Sequence, residues 1–141
     1  MKEVGLINRN LAKIVAEQGH QDLLMVVDAG FPIPLGVETI DISLSENKPV
    51  VLDVLTELKK FYSVEKMIIA KETKLTNPTL FNKISHVWEN ITDIEVVDHS
   101  ELKQISKNVK AVIRTGDFTA YGNVILVSGA GERWYCENKT E

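Results

Sequence analysis

The sequence predicts an α/β fold, a three-layer α/β/α sandwich around a mixed sheet of about six strands. Three observations lead there. Short apolar runs of strand length recur along the chain, among them LLMVV at Leu23–Val27 and IEVV at Ile94–Val97. Segments with helical spacing stand between most of them, so strand and helix alternate. The last two predicted strands, 110–114 and 123–127, follow each other without a helix, which makes the sheet mixed rather than all parallel.

Taken in order, Asn10 is placed to cap a first short helix carrying Leu11, Ile14 and Val15 on one face. Gly19 is placed to end it in the left-handed conformation common after helices. Leu23–Val27 is apolar throughout, as a strand covered on both faces should be, and Asp28-Ala29-Gly30 stops it. Phe31-Pro32-Ile33-Pro34 must be extended, because each proline disfavours helix for the residue before it. Residues 39–44 alternate, with Ile40, Ile42 and Leu44 on one side, and read as a half-covered strand. Pro49 opens a helix running to about Phe61, with Val54, Leu55 and Leu58 in register. Residues 66–70 form the next strand. Asn77-Pro78 is a cap followed by proline at the first helical position, and Leu80, Phe81, Ile84, Val87 and Trp88 give that helix its apolar stripe. Ile94–Val97 is a strand, and Ser100-Glu101 begins a last helix with Leu102 and Ile105. Gly, Pro and Asn are spread evenly and no repeat or linker interrupts them, so residues 1–141 read as one domain.

Composition narrows the function classes. The chain has 16 Lys and Arg against 20 Asp and Glu, a net charge of −4. Nucleic acids and anionic membranes are bound through basic surfaces, so neither is expected as a partner. Cys136 is the single cysteine, which excludes an intrachain disulfide framework and suits a reducing cytoplasm. The opening MKEVGLINRN lacks the apolar centre of a secretory signal, and no apolar run reaches the roughly 20 residues of a membrane span. In such a setting the sequons at Asn90 and Asn138 carry no meaning. There is no GxGxxG, Walker loop, GxSxG or HExxH, the three histidines and one cysteine lack zinc spacing, and no metal or cofactor is expected.

Ligands of open α/β sheets bind beyond the carboxyl ends of strands. The polar residues there are Asp28, Lys71, Glu72, Asp98, His99, Arg114, Thr115 and Asp117, with Tyr121-Gly122-Asn123 opening the last strand. His20 lies between the first helix and the first strand. Each has a plain structural reading. His20 would be a solvated residue at a helix end. Asp28 would bond its own turn, and Tyr121 and Asn123 would shape theirs. His99 would be a loop residue, and His86 a surface histidine. Arg114 with Thr115-Gly116 leaves a phosphate-bearing sugar open.

Several stretches combine into a known pattern: Gly19-His20-Gln21-Asp22, Val26-Val27-Asp28-Ala29-Gly30-Phe31-Pro32-Ile33-Pro34, Asn77-Pro78, His99, Ala111-Val112-Ile113-Arg114-Thr115-Gly116 and Tyr121-Gly122-Asn123. In this order, over nearly the whole chain, they resemble the ribose/fucose mutarotase family. The resemblance implies an enzyme, an isomerase that interconverts cyclic forms of a free monosaccharide, here the pyranose and furanose forms of D-ribose. It implies His20 as catalytic residue, Asp28, His99, Tyr121 and Asn123 as sugar-binding residues, and Gly122 in a backbone contact. It also implies a ring-shaped homo-oligomer, a decamer of stacked pentamers, with sites shared between subunits. Asp-Ala-Gly before Pro-Ile-Pro resembles the ribose branch. Gly122 departs from it, since the ribose branch commonly has Ala there and the fucose branch Gly.

The residue chemistry agrees with such a reaction. Opening a cyclic hemiacetal needs one proton delivered and one removed, and an imidazole does both near neutral pH. Carboxylate and amide groups fix hydroxyls, and a tyrosine offers a flat face with a polar tip. Two alternatives stay open: the same chemistry on fucose, and a ribose-uptake accessory that binds sugar without turnover.

Overall fold

The computed structural model describes residues 1–137; Asn138, part of the second sequon, lies outside them. Twelve elements follow in order: α1 (Arg9–Ala16), β1 (Leu23–Val27), β2 (Glu38–Asp41), α2 (Val51–Lys59), β3 (Val64–Ala70), α3 (Lys71–Thr76), α4 (Pro78–Ser85), β4 (Ile94–Val97), α5 (His99–Ile105), a 3₁₀ turn (Ser106–Asn108), β5 (Ala111–Arg114) and β6 (Val124–Ser128). The six strands form one sheet in the order β2-β5-β1-β6-β3-β4. β6 runs antiparallel to both β1 and β3, and the remaining pairs are parallel.

Alternation along the strands divides the core in two. On one face Leu24 and Val26 of β1 pack with Ile14 of α1, Leu55 and Leu58 of α2 and Ile84 of α4. On the other, Met25 and Val27 pack with Phe31, Leu102 of α5 and Val109. β1 and β6 lie in the middle of the sheet; the continuous apolar run predicted for β1 matches its burial on both faces, and β6 is buried along its length as well. The sandwich with its mixed six-stranded sheet is therefore as the sequence predicts.

Several local expectations are corrected. Asn8, not Asn10, caps α1: its Oδ1 accepts from the Asn10 and Leu11 backbone N–H groups at 3.0 Å each. Two asparagines two residues apart have the same sequence signature, and only helix phase separates them. Gly19 is not left-handed; the chain reverses at Gln21, with φ 72°. β2 ends at Asp41, whose Oδ1 accepts from the Ser43 N–H at 3.0 Å, and Leu44 is exposed. α2 begins at Val51, after Pro49, because its first N–H donates to Asp117 Oδ2 at 2.9 Å from a loop far along the chain. α3 was not expected. Its KETKLT sequence has no apolar stripe, and it is anchored through buried Thr73, whose hydroxyl donates to the Tyr121 carbonyl at 2.5 Å. α5 starts at His99, so His99 is a helical residue rather than a loop residue.

Candidate functional site

β1, β3, β4 and β5 run in the same direction, so their carboxyl ends share one edge of the sheet, and β6, running oppositely, begins there. That direction brings Asp28 (after β1), His99 (after β4) and Tyr121 to Asn123 (before β6) together. The buried Asn123 side chain accepts the Asp28 backbone N–H through Oδ1 at 2.9 Å. The Asp28 carboxylate accepts from the Gly30 N–H through Oδ1, also at 2.9 Å. The turn reading of Asp28 is thus true of one oxygen. Among the described residues no hydrogen bond engages the other oxygen or the Asn123 amide nitrogen.

Two groups of α3 lock the rest. Glu72 accepts the His99 backbone N–H with both carboxylate oxygens, at 3.1 and 3.2 Å, and so covers the start of α5. Thr73 holds the Tyr121 carbonyl, and Tyr121 sits at φ 58°. A non-glycine residue in that region costs on the order of 1–3 kcal/mol and persists where its surroundings impose it. The His99 ring lies edge-on to Tyr121, with centroids 5.1 Å apart, and to Phe31 at 6.1 Å. Its Nδ1 is buried and has no hydrogen-bond partner among the described residues. Burial holds its pKa below the ordinary 6.5, nearby Lys103 lowers it further, and Glu72 and Asp28 oppose the shift. The ring is therefore neutral at pH 7, with one nitrogen able to donate and one to accept.

A cavity of about 430 Å³ opens beside Asp28, lined also by Gly30, Arg114 and Phe118. Arg114 is already engaged, with Asp41 at 3.1 Å, the Ser43 hydroxyl at 2.7 Å and the Ala29 carbonyl at 3.0 Å. It braces β5 against the loop after β1 and does not stand ready for a phosphate. Asp117 is likewise structural, with its second oxygen on the Thr119 N–H at 2.8 Å. His86 is exposed at the end of α4, its Nδ1 2.7 Å from the Asn82 carbonyl oxygen.

His20 lies at the opposite edge. It precedes β1 whereas Asp28 follows it, and the five residues of that strand, at about 3.3 Å each, a length of roughly 17 Å, stand between the two. The His20 side chain is 66% exposed, and its Nε2 is 3.2 Å from Glu65 Oε2. It borders a cavity of about 410 Å³ shared with Tyr62, Ser128 and Trp134. Burial pushes the Tyr62 hydroxyl up to about 12, and that hydroxyl is bonded to Ser128. One chain thus gathers Asp28, His99, Tyr121, Gly122 and Asn123 but keeps His20 apart.

Glu65 and Thr73 escaped the sequence reading, and so did the role of Glu72. Glu72 follows a strand end, which was a usable signal; Glu65 lies just before the strand expected at residues 66–70, and nothing local marks it.

Known proteins share this architecture. The structure of Bacillus subtilis RbsD complexed with D-ribose superposes with a TM-score of 0.87 at 42% identity, covering 92% of this chain and 98% of that one. A fucose mutarotase from Streptococcus pneumoniae shares the fold, with a TM-score of 0.68 at 17% identity over 89% of this chain and 94% of that one. The D-ribose pyranase of Lactobacillus johnsonii is 46% identical over 129 residues, 92% of this chain and 98% of its own. That of Kosmotoga olearia is 45% identical over 130 residues, with the same coverage. Residues 1–131 match the RbsD / FucU transport protein family, and with the fold and these relatives this places the chain in that family.

Proposed function

We propose that this protein is a D-ribose pyranase, an isomerase that interconverts the pyranose and furanose forms of free D-ribose by acid–base ring opening. The observation that carries the reading is the 46% identity to a D-ribose pyranase along nearly the full length of both chains. In the reaction the anomeric hydroxyl loses a proton, the bond between the anomeric carbon and ring oxygen breaks, and that oxygen takes up a proton. Rotation and attack by a different hydroxyl reverse the sequence. The reaction is redox-neutral, and its demand on the protein is proton transfer plus positioning.

Asp28, His99, Tyr121 and Asn123 hold the sugar. The free Asp28 oxygen and the Asn123 amide meet hydroxyls, Tyr121 covers a ring face and the Gly122 backbone approaches beside it. His20 moves the protons. Because it stands at the far edge of its own sheet, it serves sugar held by a neighbouring copy. A ring-shaped homo-oligomer, a decamer of stacked pentamers in the reducing cytoplasm, completes the reading. Trp134 and Tyr135 support association, being 67% and 59% exposed.

The test is exchange spectroscopy by NMR on free ribose and free fucose, with mixed variants. His20→Ala and Asp28→Ala proteins should each be slow on ribose. Dissociated together and reassembled, they should recover part of the rate, because some sites then pair an intact His20 with an intact Asp28. No recovery overturns the shared site, and faster exchange of fucose than of ribose overturns the substrate.

A further inference from the structure

His20 cannot hold its own ring still. It lies in a short connection outside any helix or strand, and most of its side chain is in solvent. A group that transfers protons needs a defined tautomer and a defined aim. The contact at hand is Glu65, and an exposed histidine–carboxylate pair taken alone contributes little and says little.

Two further features make this pair a built one. First, Glu65 is the extra residue of a bulge. Val64 pairs with Ser128 and Lys66 with Val127, so Glu65 has no partner on β6. Bulges re-aim side chains and concentrate near functional sites. Second, the chain leaves a slot for this carboxylate. A Cβ at residue 129 would stand 2.3 Å from Glu65 Cδ and 2.5 Å from Oε2, so the side chain lies where any residue but glycine would put an atom. The backbone of Gly129 is not left-handed, so conformation does not demand glycine there. Room for Glu65 does.

We infer that Glu65 is the positioning residue of His20: its carboxylate, seated over Gly129, accepts the Nε2–H and thereby presents the unprotonated Nδ1 to the sugar. A carboxylate on one ring nitrogen fixes which nitrogen carries the proton, and this is the arrangement that orients imidazoles in other proton-transfer sites. The inference rests on the proposed catalytic role of His20 and adds the atom that does the work.

The experiment pairs ¹⁵N NMR of the His20 ring with ribose exchange kinetics in the wild type and three variants, and adds the kinetics of His20→Ala. In the wild type the Nε2–H tautomer should dominate. Glu65→Ala and Gly129→Ala should both give a tautomer mixture. Their kcat should fall by up to about a hundredfold, the scale of a misaimed catalytic group, with KM little changed. Gly129→Ala is the sharper variant, since its methyl displaces the Glu65 carboxylate without altering it. Glu65→Gln keeps an acceptor, so it should keep the tautomer and lose less rate. A wild-type tautomer and rate in Glu65→Ala and Gly129→Ala overturn the inference while leaving the catalytic role of His20 intact. Undiminished exchange in His20→Ala overturns that role itself, and the tautomer readout still reports on Glu65.

Discussion

Asp28, His99, Tyr121 and Asn123, at the carboxyl edge of the sheet, are each fixed by other atoms of the same chain, whereas His20 at the amino edge is two-thirds exposed and touched by one carboxylate. The carboxyl edge is costly to build. It holds a left-handed tyrosine, a buried imidazole nitrogen without a hydrogen bond among the described residues, and a buried asparagine. Its partners come from α3 and from the loops after β1 and before β6, so its shape exists before any ligand arrives. The amino edge depends instead on a bulge and a glycine. Recognition of a sugar demands fixed donors and acceptors, and that is where rigidity is concentrated. Proton transfer demands one aimed group, and the proposed site obtains it from a neighbouring copy.

The largest break in this comparison should come from His20→Ala. Removing a positioned proton-transfer group loses about 10²–10⁴-fold in rate. Because the proposed sugar contacts sit at the other edge, calorimetric titration should find ribose affinity nearly unchanged. A wild-type exchange rate would remove His20 from the chemistry, and a large loss of affinity would show that the edges do not divide the labour.

Asp28→Ala should do the reverse. A hydrogen bond to a charged group is worth about 1.5–3 kcal/mol, so losing one weakens ribose binding about ten- to hundredfold. Asp28 also bonds the Gly30 N–H, so the melting temperature should fall as well. Asp28→Asn sharpens the reading, as it keeps an acceptor for Gly30 and halves the carboxylate. Lowered stability of Asp28→Ala, with ribose affinity unchanged in both variants, would leave Asp28 as a turn residue alone.

The smallest effect concerns pH. The folded-state pKa of His99 lies below 6.5, so the unfolded chain takes up this proton first as pH falls. The His99 contribution to stability is therefore complete above about pH 6.5, declines as pH drops towards the folded-state value and is flat below it. Melting temperature measured against pH should fall less steeply in His99→Gln than in the wild type over that window. Parallel curves would mean that burial does not shift this histidine.

How much of this was legible in the sequence differs between the same two edges. The strands that set the frame were readable, because apolar runs such as LLMVV follow directly from burial on both faces. Residues just past strand ends were readable as a class, and Asp28 and His99 came from that rule together with the family pattern, while Asn123 came from the polar cluster that opens the last strand and from the same pattern. What could not be read is what depends on partners far along the chain. Asp117 sets the start of α2 from 66 residues away. Thr73 fixes Tyr121 from 48 away. α3 has no apolar stripe because it is held by hydroxyl and carboxylate contacts, and a periodicity search is blind to those. Glu65 was invisible for a similar reason: a bulge is a property of two strands, and one strand's sequence does not announce it.

β6 has a consequence for how damage spreads. It is the antiparallel strand in the middle of the sheet, buried along its length, with Asn123 preceding one end and Gly129 following the other. It is a rod of fixed length, and in the proposed assembly its tips belong to two different reaction chambers. A lesion that tilts or slips this rod, such as a mispacked Ile125 or Leu126, would move the proposed sugar clamp of one chamber and the proposed proton shuttle of the next together. Around the proposed closed ring each chain would border two chambers, so a minority of faulty chains would silence more chambers than their own number.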